Sequence, residues 1–166
     1  MTKKIDIHIA SQALTLSGGK DILSTYPVST AKNGGGELSG SECTPRGRHI
    51  IRAKIGAGAR AGSVFVGRRQ TGEIYTDQRG YEYPDRDWIL SRILWLSGCE
   101  KGYNRLGNVD TMRRYIYIHG CPDELMKGEP DSHGCIRMGN ADVIDLFDQI
   151  AIGTAVYIHD DSSIKS

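Results

Sequence analysis

The chain has 166 residues, 39% hydrophobic and 25% charged, which is ordinary for a soluble globular domain large enough for its own core. Its formal net charge of +1 comes without a basic block, which excludes the electrostatic footprint of nucleic-acid binding. No window approaches the roughly 20 apolar residues of a membrane span. Four scattered cysteines exclude a disulfide scaffold.

The first part of the chain is typical of short strands joined by turns. Ile5, Ile7 and Ile9 alternate with other residues, and Leu14 and Leu16 predict a partner strand, followed by a turn at residues 17–21. Further strands are predicted at residues 22–30, 48–55 and 64–66. Between them, residues 31–40 and 56–62 are rich in glycine. We predict surface loops there, with little in residues 31–40 that packs.

The second part of the chain alternates irregular segments with strands and ends in one helix. Residues 81–88 predict irregular structure and residues 98–110 a long loop, between strands at 89–96 and 115–118. Asn140 is the predicted N-cap of a helix over residues 140–152, with Val143, Phe147 and Ile150 on its apolar face and Gly153 at its end. A last strand is predicted at residues 154–158.

These elements predict a mainly-β sandwich or barrel with one main helix. We expect residues 1–159 to form one catalytic domain and residues 160–166 to be a polar tail.

Two His-Gly-Cys tripeptides, at residues 119–121 and 133–135, carry the most chemical information in the sequence. A cysteine and a histidine brought together by a fold can perform acyl transfer. His119 and Cys135 each end a structured segment, and the Pro/Gly loop between them can fold back so that the side chains meet. We expect the imidazole to lower the thiol pKa and supply thiolate at neutral pH. Gly134 allows a tight turn beside Cys135, which lets backbone N–H groups point at an oxyanion.

Other interpretations of these residues remain open. Either side chain alone would be read as an ordinary buried cysteine or a surface histidine; the compact cluster from Ser132 to Cys135, followed by Arg137, favours a site. Cys121 is either a core residue or a redox partner of Cys135. The two His-x-Cys pairs would also supply a tetrahedral Zn²⁺ site, although structural zinc normally uses wider spacings. A non-catalytic peptide-binding module is a further alternative, but such a module needs neither His119 nor Cys135.

The pair His119-Gly120, followed by the run SHGCIRM at residues 132–138, resembles the signature of the YkuD-type L,D-transpeptidase catalytic domains. The similarity extends upstream to residues 94–98 and downstream to residue 158. It implies that family's β-sandwich or barrel with one main helix. It also implies a cysteine enzyme acting on bacterial peptidoglycan stem peptides. The bond attacked would join the L-centre of the third residue, usually meso-diaminopimelate, to D-alanine.

The resemblance also implies how the reaction is shared among residues. Cys135 would be the nucleophile and His119 its general base, with the Gly120 carbonyl orienting the imidazole. The backbone N–H groups of His133, Gly134 and Cys135 would face the oxyanion.

Around the reacting atoms, the resemblance implies that Ser132 and His133 shape the pocket. Arg137 would face the substrate, where a guanidinium can grip a carboxylate bidentately. The implied partner is a stem peptide or muropeptide, with carbapenems as covalent inhibitors of Cys135. No cofactor, metal, nucleic acid or membrane is expected.

The acyl-enzyme has two expected fates. Water would release a tripeptide, as in an L,D-carboxypeptidase of muropeptide recycling, and an amine would give the 3–3 cross-links or D-amino-acid exchange of an L,D-transpeptidase. No apolar run typical of a signal peptide follows the two N-terminal lysines. We therefore expect a cytoplasmic protein that acts mainly as a carboxypeptidase, or a periplasmic one if a leader has been removed.

Overall fold

A computed structural model of the chain describes residues 2–160. Ten strands form one sheet, with the order β3-β2-β1-β10-β4-β7-β5-β6 and with β8 bridging β7 and β9. This confirms the predicted mainly-β fold with few helices. The strands are β1 (Lys3–His8), β2 (Ala13–Gly18), β3 (Asp21–Pro27), β4 (Gly47–Ile55), β5 (Ser63–Val66), β6 (Arg69–Ile74), β7 (Ile89–Gly98), β8 (Tyr117–Gly120), β9 (Ile136–Met138) and β10 (Ala155–His159).

The two ends of the chain meet in the middle of the sheet. β1 pairs antiparallel with β2, so that Ile5 lies opposite Leu16 and Ile7 opposite Leu14. On its other side β1 pairs parallel with β10. The alternating isoleucines and leucines are fully buried, as expected for strands with one face on the core. The strands predicted at both ends are therefore confirmed.

β7 pairs with more strands than any other strand among the described residues. It pairs antiparallel with β4, β5 and β8, and most of its residues are buried. This confirms the predicted strand at residues 89–96. β9 was not predicted, because three residues are too few for a periodic signal. It pairs parallel with β8, which places His119 beside Arg137.

The structure corrects the helix predictions in detail. α2 (Asn140–Gln149) buries Val143, Leu146 and Phe147 against the sheet. It ends at Gln149 rather than at residue 152, and Gly139, not Asn140, is its N-cap. The Asn140 side chain instead donates to the Cys121 carbonyl at 3.0 Å and hydrogen-bonds the Ser91 hydroxyl.

A short helix, α1 (Asp77–Glu82), precedes β7 in a region where the sequence predicted no helix. The hydroxyl of Thr76 caps it by accepting from the Arg79 N–H at 3.1 Å. β6 was also missed. Within the described residues, no helix is long and apolar enough to cross a membrane. The predicted tail at residues 160–166 lies outside the described residues, apart from Asp160.

Candidate active site

The predicted site residues gather around one cavity of about 190 Å³. Its lining includes five residues named from the sequence and four that were not. The predicted residues are His119, Ser132, His133, Cys135 and Arg137, and the unpredicted ones are Asp87, Arg114, Tyr115 and Ile116. The fold therefore places the proposed nucleophile and base in the same cavity. The Cys135 thiol donates to the Tyr115 carbonyl and not to the His119 ring, so the prediction that the two side chains meet stays a prediction.

His119 lies in β8 with its ring almost completely buried. Its Nδ1 is 2.7 Å from the Gly120 carbonyl oxygen. Because a carbonyl oxygen only accepts, Nδ1 carries the proton and Nε2 keeps a free lone pair. Burial is the largest influence on the ring and lowers the pKa of His119 below its usual value. The imidazole is therefore a neutral base at pH 7.

Gly120 holds that arrangement because no larger residue fits. A Cβ atom there would lie 2.4 Å from the Leu90 carbonyl oxygen and 2.9 Å from Oδ1 of Asn140. The close approach lets β8 lie tightly against β7, with the Gly120 carbonyl in reach of the neighbouring ring.

Cys135 follows a turn in which Gly134 has a φ of +133°, a conformation that favours glycine. The Cys135 Sγ is 3.4 Å from the Tyr117 backbone N–H, which donates to it, and 3.5 Å from the Tyr115 carbonyl, to which it donates. Both contacts fix the sulfur on the residues leading into β8. The proposed nucleophile and the proposed base are thus both positioned by residues in or next to β8.

The protonation state of Cys135 differs from the sequence prediction. Burial raises its pKa to about 12, and the opposing effects of the Tyr117 N–H and of Arg137 and Arg114 are smaller. This direction favours the protonated thiol in the resting site and gives no support to the predicted thiolate at neutral pH. With a neutral thiol and a neutral imidazole lining one cavity, attack by the sulfur would require transfer of the thiol proton.

Ser132 closes the turn that carries Cys135. Its hydroxyl donates to the Cys135 carbonyl at 2.5 Å and accepts from the Gly134 N–H at 3.2 Å. The Gly134 N–H, expected at the oxyanion, is therefore already engaged. The N–H groups of His133 and Cys135 donate to no other residue among those described, and they remain candidates for that contact.

The glycine-rich segment at residues 31–40 holds the same turn from outside. Ala31 is fully buried and pairs with Ser132. Thr44 accepts from the Ala31 N–H and donates to the Gly134 carbonyl, both at 2.9 Å. The predicted surface loop is confirmed, since the other nine residues of the segment are partly or fully exposed. The exception to the predicted lack of packing is Ala31, which packs on the turn that carries Cys135.

Arg137 lines the cavity but is not free. It is 7% exposed, and its guanidinium lies 3.2 Å from Asp131 and 3.7 Å from Asp87. Both carboxylates are about half exposed, with side-chain exposures of 50% and 52%. A substrate carboxylate would have to compete with these partners, and the predicted grip by Arg137 stays a prediction.

Cys121 takes no part in the cavity lining. It is fully buried, its thiol donates to the Pro122 carbonyl at 3.5 Å, and burial raises its pKa to about 12. These contacts fit the interpretation as a core residue. Across residues 2–160 no group of three or more His, Cys, Asp or Glu side chains is placed to hold a metal ion. The geometry therefore gives the zinc hypothesis no support.

Comparison with known proteins identifies the family to which the chain belongs. The family described as YkuD, L,D-transpeptidase catalytic domain, matches residues 2–158. The chain belongs to the YkuD family. A curated relative, YqjB of Bacillus subtilis (strain 168), is 49% identical to this YkuD domain over 49 residues. That match takes in 30% of the chain and 28% of YqjB.

Solved L,D-transpeptidases share the fold of this YkuD domain. The enzyme from Xylanimonas cellulosilytica DSM 15894 is 20% identical with a TM-score of 0.55, over 95% of this chain and 60% of that one. The Mycobacterium smegmatis enzyme is 18% identical with a TM-score of 0.57, over 95% and 58%. L,D-transpeptidase 3 of Mycobacterium tuberculosis, solved with a faropenem-derived adduct, is 14% identical with a TM-score of 0.56, over 96% and 60%. The chain spans about 60% of the length of these structures.

Proposed function

We propose that this YkuD domain cleaves peptidoglycan stem peptides between the L-centre of the third residue and D-alanine, through an acyl-enzyme on Cys135. The supporting observation is that Cys135 and His119 line one cavity, with Nδ1 of His119 held by the Gly120 carbonyl. That contact leaves Nε2 as the base, which is what a protonated thiol requires.

The reaction begins with two neutral groups. As the Cys135 sulfur attacks the scissile carbonyl carbon, the thiol proton passes to Nε2 of His119 and a C–S bond forms. The oxyanion faces the free N–H groups of His133 and Cys135. Its collapse breaks the C–N bond, and the imidazolium returns the proton to the departing D-alanine amine. The product is a thioester and a neutral histidine.

For the second step we favour hydrolysis, which makes the protein an L,D-carboxypeptidase. Water attacks the thioester, His119 takes its proton and returns it to the sulfur, and a tripeptide leaves. The catalytic cavity of about 190 Å³ supports this outcome. A water needs only about 10–15 Å³ on this measure, so water has room to reach a thioester in this cavity.

Transfer to an amine is the second candidate, and a neighbouring cleft favours it. The cleft has a volume of about 520 Å³ and is lined by Tyr75, Tyr81, Trp88 and the carboxylates of Asp77 and Glu124. Aromatic and acidic side chains suit an amine-bearing acceptor. The chain joins the two spaces directly, because residues 86 and 88 line the cleft and residue 87 lines the catalytic cavity.

The test is incubation with a disaccharide-tetrapeptide, with and without added D-methionine, followed by mass analysis. Loss of D-alanine alone supports hydrolysis, whereas a dimer or a D-methionine product supports transfer. Absence of every product, together with no carbapenem adduct on Cys135 by intact mass, would refute the proposal. The cytoplasmic location also remains a proposal, and fractionation of cells that produce the protein would test it.

A further inference from the structure

Arg68 is held rigidly at the tip of the β5–β6 hairpin. Its guanidinium carbon lies 5.0 Å from the ring centre of Trp95 and 4.9 Å from that of Tyr115. One guanidinium nitrogen donates to the Tyr117 hydroxyl at 3.0 Å. An arginine fixed by two rings and a hydrogen bond has already lost most of the rotamer freedom that ligand binding would otherwise cost.

The charge of Arg68 is not neutralised by a neighbouring acid. No carboxylate among residues 2–160 forms an ion pair with it, whereas Arg46, Arg86 and Arg137 each pair with at least one. A guanidinium has five N–H donors; hydrogen bonding within the protein engages the Arg68 guanidinium through one nitrogen, and the residue is partly exposed. A planar, unpaired guanidinium edge is the arrangement that binds carboxylates bidentately.

Arg68 does not itself line the catalytic cavity, but it contacts two tyrosines that hold the Cys135 sulfur. The Tyr115 ring on which it stacks belongs to a residue that lines the catalytic cavity. The carbonyl of that residue accepts from the Cys135 thiol, and the Tyr117 N–H donates to the same sulfur. Arg68 therefore contacts Tyr115 and Tyr117, the two residues that hold the sulfur. Arg137, in contrast, pairs with Asp87 and Asp131.

We propose that Arg68, fixed by Trp95 and Tyr115, is the binding site for a carboxylate of the substrate. This inference rests on the proposed function, because it assumes a stem peptide whose scissile carbonyl reaches Cys135. Two carboxylates lie near that carbonyl: the C-terminal carboxylate of D-alanine and the side-chain carboxylate of diaminopimelate. Both have the chemistry that the guanidinium edge recognises, and amidated substrates distinguish them.

The experiment compares Arg68→Met and Arg68→Lys with Arg69→Met, an exposed neighbour on the same hairpin. Each is assayed for kcat/KM on three tetrapeptides: unmodified, amidated at D-alanine, and amidated at diaminopimelate. We expect Arg68→Met to lower kcat/KM on the unmodified peptide by about 10–100-fold, mainly through KM. Arg68→Lys should recover part of the loss, and Arg69→Met should stay within about two-fold of the unaltered protein.

The amidated peptides identify the carboxylate. The peptide that lacks the recognised carboxylate should react slowly with the unaltered protein and lose nothing further in Arg68→Met. Equal losses on all three peptides, or no loss on any, would overturn the inference. An altered alkylation rate of Cys135 by neutral iodoacetamide in both Arg68 variants would also overturn it, since it would indicate a merely structural role. If the unaltered protein turns over none of the peptides, the proposed function fails instead.

Discussion

The two His-Gly-Cys tripeptides have the same three residues and opposite uses. In residues 119–121, which finish β8, the histidine lines the cavity and the cysteine is buried in the core. In residues 133–135, which form a turn, the cysteine and the histidine both line the cavity, and the histidine is exposed. Backbone conformation decides which side chain reaches the substrate. One site is built from the histidine of one copy and the cysteine of the other.

The two cysteines differ in exposure, because Cys121 is fully buried and Cys135 is partly exposed. Loss of solvation nevertheless raises the pKa of both to about 12. The difference is access: the Cys135 sulfur lies in a cavity beside a base, and the Cys121 sulfur faces the Pro122 carbonyl. Paired substitutions in the two tripeptides test whether access is what distinguishes them.

Substituting each of the two cysteines separately should give the largest difference in activity between two variants. Cys135→Ala removes the nucleophile and should lower D-alanine release by more than about 10³-fold. Cys121→Ala should change the rate by less than about three-fold while lowering stability by about 1 kcal/mol. Product mass analysis and urea unfolding measure the two effects. Turnover retained in Cys135→Ala would show that the cavity thiol is not the nucleophile.

The two histidines should differ almost as much. His119→Gln removes the base and should lower kcat/KM by about 10²–10⁴-fold, whereas His133→Gln should cost less than about ten-fold. Burial lowers the pKa of His119, and only the neutral ring can accept the thiol proton. The rate should therefore hold through neutral pH and fall as pH drops through that lowered pKa, below about 6.5. An acid limb above pH 7 would contradict this assignment.

Thiol alkylation tests whether Cys135 is a protonated thiol or a thiolate at neutral pH. At pH 7 Cys135 should react with iodoacetamide on the order of 10²-fold more slowly than N-acetylcysteine, because so little of it is thiolate. The rate should continue to rise with pH beyond 9, as a pKa of about 12 requires. Variants that keep a single cysteine assign the signal to Cys135 or Cys121. An inflection below pH 8 would restore the original expectation of a preformed thiolate.

The two glycine variants should differ least. Their contrast lies in whether the substitution lowers mainly stability or mainly activity. Gly120→Ala places a Cβ against the Leu90 backbone, so it should lower the free energy of unfolding by about 3 kcal/mol. In Gly134→Ala the nearest atom is the flexible end of Ile116 at 3.1 Å, and strain at positive φ should cost about 1–3 kcal/mol. Gly134→Ala should lose more activity than stability. Denaturant unfolding measures the loss of stability and kcat measures the loss of activity. A larger loss of stability than of activity in Gly134→Ala would contradict a role of Gly134 in the site.

The sequence predicted the parts of the site that lie close together along the chain. Residues 132–138 and the preceding His-Gly pair carry the family signature, and the strongly apolar strands were placed correctly. Asp87 and Arg114 were missed because long-range folding, not local pattern, brings them to the cavity. Asn140 has the residue type of an N-cap, but its bonds to Cys121 and Ser91 outweigh local preference. The sequence predicted a lowered pKa for Cys135, whereas burial raises it. The burial of a side chain depends on residues that are distant in the sequence.

The short parallel pairing of β8 with β9 ties the Cys135 sulfur to the strand that carries His119. Only three residue pairs join these strands, and β9 is secured on its other edge by hydrogen bonds between Arg137 and Ser29 at 2.9 Å. Ile136 and Met138 are fully buried in the main core, so separation of these pairs would also open the core. Amide hydrogen exchange in β9 should therefore be about as slow as in the central strands, and faster exchange would show that this pairing opens by itself.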